Sequence, residues 1–365
     1  MIPSLSFFHI NTPSYQRSIE PSEVKRLQHL NRRLIGLCVL LLASLTASVE
    51  ALDRFEFTQP QMGVPFRIIL YAANEGEAEE AATAAFARIG QLNTSLSNYE
   101  TDSELSQLGY QSGTSRWIDV SRDLFRIIQR SQKLSQLSEG AFDLTIGPLA
   151  ASWRNARRTQ TFPERKQLER FRKRVGWHHI KLDHSQNKVS LRIPGMRLDP
   201  GGIAKGDALD QALEFLLKRG IKNALVAGAG DIAVSSPPPG KTAWKIQLSE
   251  FNHKSQDLPS YVHLEDKAIA TSGDLYQFVE LNGVRYSHIV DPRTGLGLSE
   301  RRLVSVIAPQ GITADSLATA LSVVDLTNVA PLLSAYPGVS ARIVSIENNE
   351  PREQLFGDFQ NYLAR

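Results

Sequence analysis

Ala224-Leu225-Val226-Ala227-Gly228-Ala229-Gly230-Asp231-Ile232-Ala233-Val234-Ser235-Ser236-Pro237-Pro238-Pro239 is the stretch whose reading separates two fold classes. A strand-like apolar run leads into Gly228-Ala229-Gly230-Asp231-Ile232-Ala233, which fits the G-x-G-x-x-A pattern of a dinucleotide-binding turn. That motif requires a helix to open at once, because the helix N-terminus holds the pyrophosphate. Here the chain runs instead into Val234-Ser235-Ser236 and three prolines, which cannot continue as a helix. The doubly wound dinucleotide fold is set aside on this ground.

Working outward, the same absence of a βαβ rhythm holds along the chain. Arg54 to Tyr71 reads as a strand pair with Met62-Gly63 as its turn and Phe66, Ile68 and Leu70 alternating. Helices are expected over 75–92, 121–138, 204–218 and 314–324. The second starts at the N-cap candidate Ser121 and stops at Gly140; the third stops at Gly220. Strands are expected near 178–183, 188–193, 223–234, 243–248, 261–264, 277–281 and 303–308. Basic, polar residues 154–174 read as an exposed helical excursion. Strands and helices mixed in this way favour an α+β fold.

The 365 residues suffice for a sizeable core, and 42% hydrophobic with 22% charged residues is the balance of a globular chain. A formal charge of +3, from 41 Lys+Arg against 38 Asp+Glu, lacks the basic excess of a nucleic-acid binder. The single cysteine, Cys38, excludes an internal disulfide framework, a zinc cluster and a dithiol centre. It lies in the apolar run Leu34 to Leu45, which directly follows the basic segment Lys25 to Arg33 and precedes the small-residue ending Val49-Glu50-Ala51. This order describes a secretory signal peptide, and the run is shorter than the roughly 20 residues of a membrane span. Leu37 before the cysteine does not suit a lipoprotein site. The expected organisation is a signal peptide over 1–51, with a long n-region, and one domain over 52–365 that contains no cysteine.

Several segments carry residues suited to chemistry. Asp199-Pro200-Gly201-Gly202-Ile203-Ala204-Lys205-Gly206 joins a strand to the helix at 204–218. Adjacent glycines permit close backbone approach, and free N–H groups with Lys205 in the first turn suit a phosphate or pyrophosphate. An ordinary Pro-Gly turn is equally consistent with it. In Ala314-Asp315-Ser316-Leu317-Ala318-Thr319-Ala320-Leu321, Asp315 and Thr319 are one turn apart and share a helix face. They make a pair of hard oxygen ligands for Mg²⁺, although a first-turn acid with a surface threonine is the simpler reading of that spacing. His288, in Tyr286-Ser287-His288-Ile289-Val290-Asp291, serves equally as a general base or as a structural histidine. His178, His179 and His184 lack metal-ligand spacing and read as surface residues. There is no phosphate-loop motif and no G-x-S-x-G elbow.

Taken in order, these segments resemble one family. Met62-Gly63, Leu96 to Ser106, the run Gly140-Ala141-Phe142-Asp143-Leu144-Thr145-Ile146-Gly147-Pro148-Leu149, the Asp199–Gly206 turn, Thr271-Ser272-Gly273, His288 to Gly295 and Ala314 to Leu321 succeed one another as in the ApbE family of FAD:protein FMN transferases. The resemblance implies mixed, mainly antiparallel sheets with packed helices in an ApbE-like, T-fold-related architecture. It implies that Met62, Tyr99, Ala141, Phe142, Asp143, Asp199, Lys205 and Ile289 contact FAD. The backbone of Gly202 and the side chains of Asp315 and Thr319 would hold Mg²⁺, and His288 would take part in the chemistry. Pro200, Ser316 and the Gly228-Ala229-Gly230 run depart from the commoner pattern without removing a ligand. The implied activity moves FMN from FAD to a threonine of an exported or membrane flavoprotein, such as a subunit of a membrane redox complex. An FAD pyrophosphatase releasing FMN and AMP needs the same site, and a non-catalytic flavin carrier is a third reading. The implied location is the periplasm, or the periplasmic side of the inner membrane.

Overall fold

Met62 and Gly63 both take positive φ, 50° and 77°, the backbone of a two-residue hairpin turn whose twist matches that of its strands. They join β1 (Asp53–Gln61) to β2 (Val64–Ala72), as the alternation of Phe66, Ile68 and Leu70 predicts. The computed structural model describes residues 51–251, 260–275, 277–348 and 350–364; the expected leader and Cys38 lie outside them. Leu52 to Arg365 group as one unit. After β2 come α1 (Glu75–Leu96), α2 (Glu104–Tyr110), β3 (Ile118–Asp119), α3 (Arg122–Leu137), α4 (Gly147–Thr159), α5 (Arg165–Arg172), β4 (Ile180–Asp183) and β5 (Lys188–Leu191). Then follow α6 (Ala204–Lys218), β6 (Ala224–Gly228), β7 (Asp231–Val234), β8 (Trp244–Gln247), β9 (Tyr261–Leu264) and β10 (Lys267–Gly273). The chain continues with β11 (Phe278–Leu281), β12 (Val284–Ser287), β13 (Arg302–Ala308), α7 (Gly311–Val323), α8 (Leu326–Ser334), β14 (Ser340–Glu347), β15 (Glu350–Phe356) and α9 (Phe359–Tyr362).

Eight strands form the main sheet in the order β1-β2-β6-β7-β10-β13-β14-β15, and every neighbouring pair is antiparallel. The architecture is α+β. Both faces of the sheet are covered. Val226, Ala233, Ala270, Val304 and Val306 pack with Leu209, Leu216, Leu317 and Leu321 of α6 and α7. The alternate residues Leu225, Val234, Ile269 and Ile307 pack with Trp244, Ile246, Val262, Leu264 and Phe359, from the β8–β9 hairpin and α9. Two covered faces explain why the central strands are apolar throughout and do not alternate with polar residues. A smaller cluster joins Leu149, Trp153 and Ala156 of α4 to Leu168 of α5, Val279 and Leu281 of β11, and Val290.

Three expectations need correction. The strand expected over 223–234 is a hairpin, β6 and β7, turned by Ala229 (φ 56°) and Gly230 (φ 95°). The excursion at 154–174 is two helices, and the first is part of the interior: Trp153 is buried, its Nε1 donating to the Gly295 carbonyl at 2.9 Å. The last long helix begins at Gly311 rather than 314, because its cap is tertiary. Asp210 of α6 accepts from Gly311 N at 2.6 Å and Ile312 N at 2.9 Å, supplying partners for first-turn donors that have none within the helix. Ser121 caps α3 as expected, its hydroxyl accepting from Leu124 N at 3.2 Å.

Glycines set the crossing of α6 and α7. A Cβ on Gly206 would lie 2.1 Å from the Gly311 carbonyl oxygen, and one on Gly311 would lie 2.5 Å from that of Gly206. The two backbones therefore touch, which brings the first turn of α6 against Asp315.

Candidate functional site

Strand register gathers several sequence-predicted segments at one end of the main sheet. Phe66 pairs with Gly228, Gly228 with Asp231, Ile232 with Ile269, and Thr271 with Ser305. The Met62-Gly63 turn, the Ala229-Gly230 turn, Asp231 and Thr271-Ser272-Gly273 thus share that end. The α6–α7 crossing adds the remainder. Asp315 accepts from Gly206 N at 3.0 Å, and Lys205 Nζ donates to the Gly201 carbonyl at 2.5 Å. A Cβ on Gly202 would stand 2.7 Å from Thr319 Oγ1, so only glycine leaves room between them. Ser272 Oγ lies 3.4 Å from the same hydroxyl. Gly202, far from Asp315 and Thr319 in sequence, is thus brought to the face of α7 that carries them.

The electrostatics of this cluster are unusual. Asp315 and Asp231 are both buried, 3% and 4% exposed. Burial pushes the Asp315 carboxyl up, against the pull of Lys205 and the N–H groups of Gly206 and Lys205. Burial and then Asp315 itself push Asp231 well up, while Lys205 and the Thr271 N–H, donating at 3.2 Å, oppose. Burial disfavours the Lys205 ammonium, yet Asp315, Asp231 and Asp199 outweigh it and raise its pKa. One cation thus faces two buried acids. Asp231 is a member of the cluster that sequence reasoning missed, because it was seen only as part of a failed dinucleotide fingerprint.

The oxygen set fits a hard cation. It comprises the Asp315 carboxylate and the Thr319 hydroxyl, the latter packed directly against the Gly202 backbone where a Cβ would have stood. Among the described residues no group of three or more His, Cys, Asp or Glu side chains is placed to hold a metal. A sparse oxygen set suits Mg²⁺, which keeps waters or takes up substrate phosphates instead of filling a protein cage.

α4 supplies two arginines that sequence reasoning took for solvated surface. Arg154 Nη1 donates to Asp199 Oδ2 at 2.7 Å, and its guanidinium lies over the Tyr99 ring, 5.3 Å from the centroid. Asp199 Oδ1 accepts from Gly201 N at 3.0 Å, which fixes the entry to the glycine turn. Tyr99 is 74% exposed, so its ring face is open to a ligand. Arg157 Nη1 donates to Gln277 Oε1 at 2.9 Å.

His288 follows β12, and its N–H donates to the Gln277 carbonyl at 3.0 Å, extending the β11–β12 hairpin by one pair. Its ring Nδ1 lies 3.1 Å from the same carbonyl oxygen. A carbonyl only accepts, so Nδ1 carries the proton and Nε2 keeps its lone pair. The ring's pKa is pushed down to about 4: burial dominates, Arg157 and Lys205 add to it, and the Gln277 carbonyl and Asp274 oppose. At neutral pH the imidazole is uncharged and able to accept a proton at Nε2.

The remaining predicted residues line the interior side. Ala141, Phe142, Asp143 and Ile289 are buried. The Asp143 carboxylate is already engaged, accepting from Thr145 N (2.8 Å), Thr145 Oγ1 (2.7 Å) and Trp177 N (2.9 Å). Asp199 N donates to the Leu144 carbonyl at 2.8 Å, tying this run to the glycine turn. His178 and His184 are exposed, in keeping with their surface assignment, whereas His179 is half-buried.

Comparison with known proteins follows the same lines. The family model described as the ApbE family matches residues 62–343. A FAD:protein FMN transferase of Vibrio cholerae is 32% identical over 295 residues, 80% of this chain and 86% of that protein. One of Chlamydia muridarum is 31% identical over 274 residues, 73% of this chain and 83% of that protein. Among solved structures, flavin transferase ApbE from Vibrio cholerae superposes with a TM-score of 0.77 at 28% identity, covering 85% of this chain and 99% of that one. The apo form of Pseudomonas stutzeri flavinyl transferase ApbE gives 0.75 at 25% identity, covering 86% and 98%.

Proposed function

The chain belongs to the ApbE family and is a FAD:protein FMN transferase, and from that premise we propose that it joins FMN to a threonine hydroxyl of an exported or membrane flavoprotein, with Mg²⁺ at the pyrophosphate and AMP as leaving group. The observation that carries this reading is the meeting of Gly202, Asp315 and Thr319 beside Lys205, a hard-oxygen set next to a cation. Asp315, Thr319 and the Gly202 carbonyl would hold the metal. A Mg²⁺ ion there would supply charge neutralisation for the pyrophosphate as AMP leaves.

The protein's own groups perform the other tasks. Lys205 binds the pyrophosphate through its ammonium, because the first-turn N–H groups of α6 are already taken by the Asp315 carboxylate and by the Pro200 and Ile203 carbonyls. Tyr99 offers an open aromatic face for flavin or adenine. The threonine Oγ attacks the phosphorus on the FMN side, a new P–O bond forms, and the P–O bond to AMP breaks. His288 accepts the threonine proton at Nε2, for which its neutral state and Nδ1–H tautomer suit it. Residues 1–51 direct export, on the strength of the basic Lys25–Arg33 segment followed by the apolar Leu34–Leu45 run. The acceptor then lies in the periplasm or on the periplasmic side of the inner membrane.

The test is mass spectrometry of a purified flavoprotein acceptor domain after incubation with the enzyme, FAD and Mg²⁺. A gain of one FMN less water on a threonine supports the proposal. Free FMN and AMP with unmodified acceptor would establish hydrolysis instead, and unreacted bound FAD a carrier.

A further inference from the structure

Arg157 stands at the centre of an arrangement that the transfer reaction does not by itself require. It projects from α4, whose Trp153 and Ala156 are anchored in the cluster that also contains Val279 and Leu281 of the β11–β12 hairpin. Helix and hairpin are therefore packed as one body. From that base the Arg157 guanidinium holds the side chain of Gln277 at 2.9 Å, across 120 residues of sequence. The backbone carbonyl of Gln277 in turn receives both the N–H of His288, at 3.0 Å, and its ring Nδ1, at 3.1 Å. Gln277 immediately precedes β11, so the Arg157 bond ties the residue that carries this carbonyl, already paired with the His288 N–H, to α4.

We propose that Arg157 is a positioning residue for the transfer reaction: by clamping Gln277 it fixes the carbonyl that orients the His288 ring with Nε2 as the free acceptor. The inference rests on the reading of His288 as the base. Arg157 also contributes through charge. The charged groups that face the ring are Arg157 from α4, Lys205 from α6 and Asp274 at the end of β10. Asp274 is engaged by Arg285 at 2.6 Å and approached by Arg301 at 3.7 Å. Two cations outweigh the one carboxylate, which is itself shared with Arg285 and Arg301, and the net positive field at the imidazole disfavours a second proton. Among the described residues Arg157 has no carboxylate within ion-pair distance, so its charge is not cancelled locally. Position and charge act in the same direction, since both keep the ring ready to take a proton.

The two contributions separate by substitution. Arg157→Met removes charge and clamp, Arg157→Gln keeps a donor without the charge, and Arg157→Lys keeps the charge. The direct readout is the ring ¹⁵N spectrum of His288 across pH, assigned with a His288→Asn variant. In Arg157→Met the titration midpoint is expected to rise by about one pH unit and the Nδ1–H tautomer to give way to a mixture. Arg157→Gln should raise the midpoint while keeping the tautomer, and Arg157→Lys should hold the midpoint near that of the native protein. From a starting value of about 4, a rise of about one unit lowers the neutral fraction at pH 4.5 about threefold. The kcat ratio between pH 4.5 and 7.5 should fall by that factor, with KM for FAD unchanged. An unaltered midpoint and tautomer in a folded Arg157→Met would overturn the inference, as would a large rise in KM with native kcat, which would make Arg157 a substrate-binding group. The base assignment is judged separately: if His288→Asn keeps the native rate and pH profile, that reading fails, while the ring spectrum still decides the role of Arg157.

Discussion

Replacing Gly206 by alanine tests the helix crossing that builds the site. The new Cβ would meet the Gly311 carbonyl oxygen at 2.1 Å, its carbon at 2.5 Å and the Asp315 Cβ at 2.7 Å. The first two contacts are backbone, so no side chain can swing aside. α6 and α7 must part by about 1 Å to restore ordinary contact distances. Overpacking of this kind costs about 1–3 kcal/mol. Parting the helices also stretches the bond from Gly206 N to the buried Asp315 carboxylate, now 3.0 Å; a bond to a charged group contributes about 1.5–3 kcal/mol. Together the loss is about 2.5–6 kcal/mol, within the total stability of a typical domain, so the variant should fold but melt about 5–20 °C lower. Denaturant midpoints and melting curves give the stability, and flavin fluorescence titrations with and without Mg²⁺ give the site. FAD binding should lose its metal dependence, because Asp315 moves with α7. Gly76→Ala is the control: its Cβ would meet only Asn74 Oδ1, at 3.4 Å, and the change should lie within about 0.5 kcal/mol of native or slightly above it. A Gly206→Ala protein that melts within a degree of native and transfers FMN at the native rate would falsify the close-crossing argument.

Three further perturbations follow from the geometry. Asp315→Asn keeps an acceptor for Gly206 N but removes the charge; Mg²⁺-dependent turnover should be lost while the melting temperature holds, and retained turnover would sink the ligand assignment. Arg154→Gln frees Asp199 and uncovers one face of Tyr99; the Kd for FAD should rise about tenfold, the loss expected when a charge-assisted hydrogen bond is removed, and an unchanged Kd by calorimetry would contradict this. Asp210, pushed up to about 7 chiefly by burial against the pull of the Ile312 and Gly311 N–H groups, is a raised acid. Its contribution to stability is full below the unfolded value near 3.8 and is lost as pH climbs through 7. Asp210→Asn should remove that dependence, so native and variant urea midpoints should diverge between pH 4 and 7; parallel curves would refute it.

What the sequence revealed and what it hid divide along physical lines. Local signals were legible. Met62-Gly63 marked a hairpin, Ser121 a cap, and the prolines after Ser236 excluded a Rossmann helix. The order of motifs marked the residues that now meet at the α6–α7 crossing. Relations made only by packing were not legible. Ala229 adopts a left-handed turn without the usual Asn or Gly, which hid the break between β6 and β7 and with it the place of Asp231. The start of α7 was misplaced because its cap belongs to another helix. Arg154 and Arg157 sit in a run of cations that any reading of charge alone assigns to solvent; only the burial of Trp153 beside them shows which side of α4 faces inward.

The length of chain between partners has a consequence for how activity is acquired. Gly206 and Asp315 are 109 residues apart, and Arg157 and Gln277 are 120 apart, so no local fragment contains a working half of the site. Contacts of such separation form late and slowly in folding. A chain in which these contacts are unmade lacks the assembled site, so the dinucleotide is expected to favour the finished molecule. At a free concentration a hundredfold above its Kd it would stabilise that state by about 2.7 kcal/mol. In refolding experiments, recovery of flavin quenching should lag behind recovery of helical circular dichroism, which makes the substrate itself a reporter of the last step of assembly.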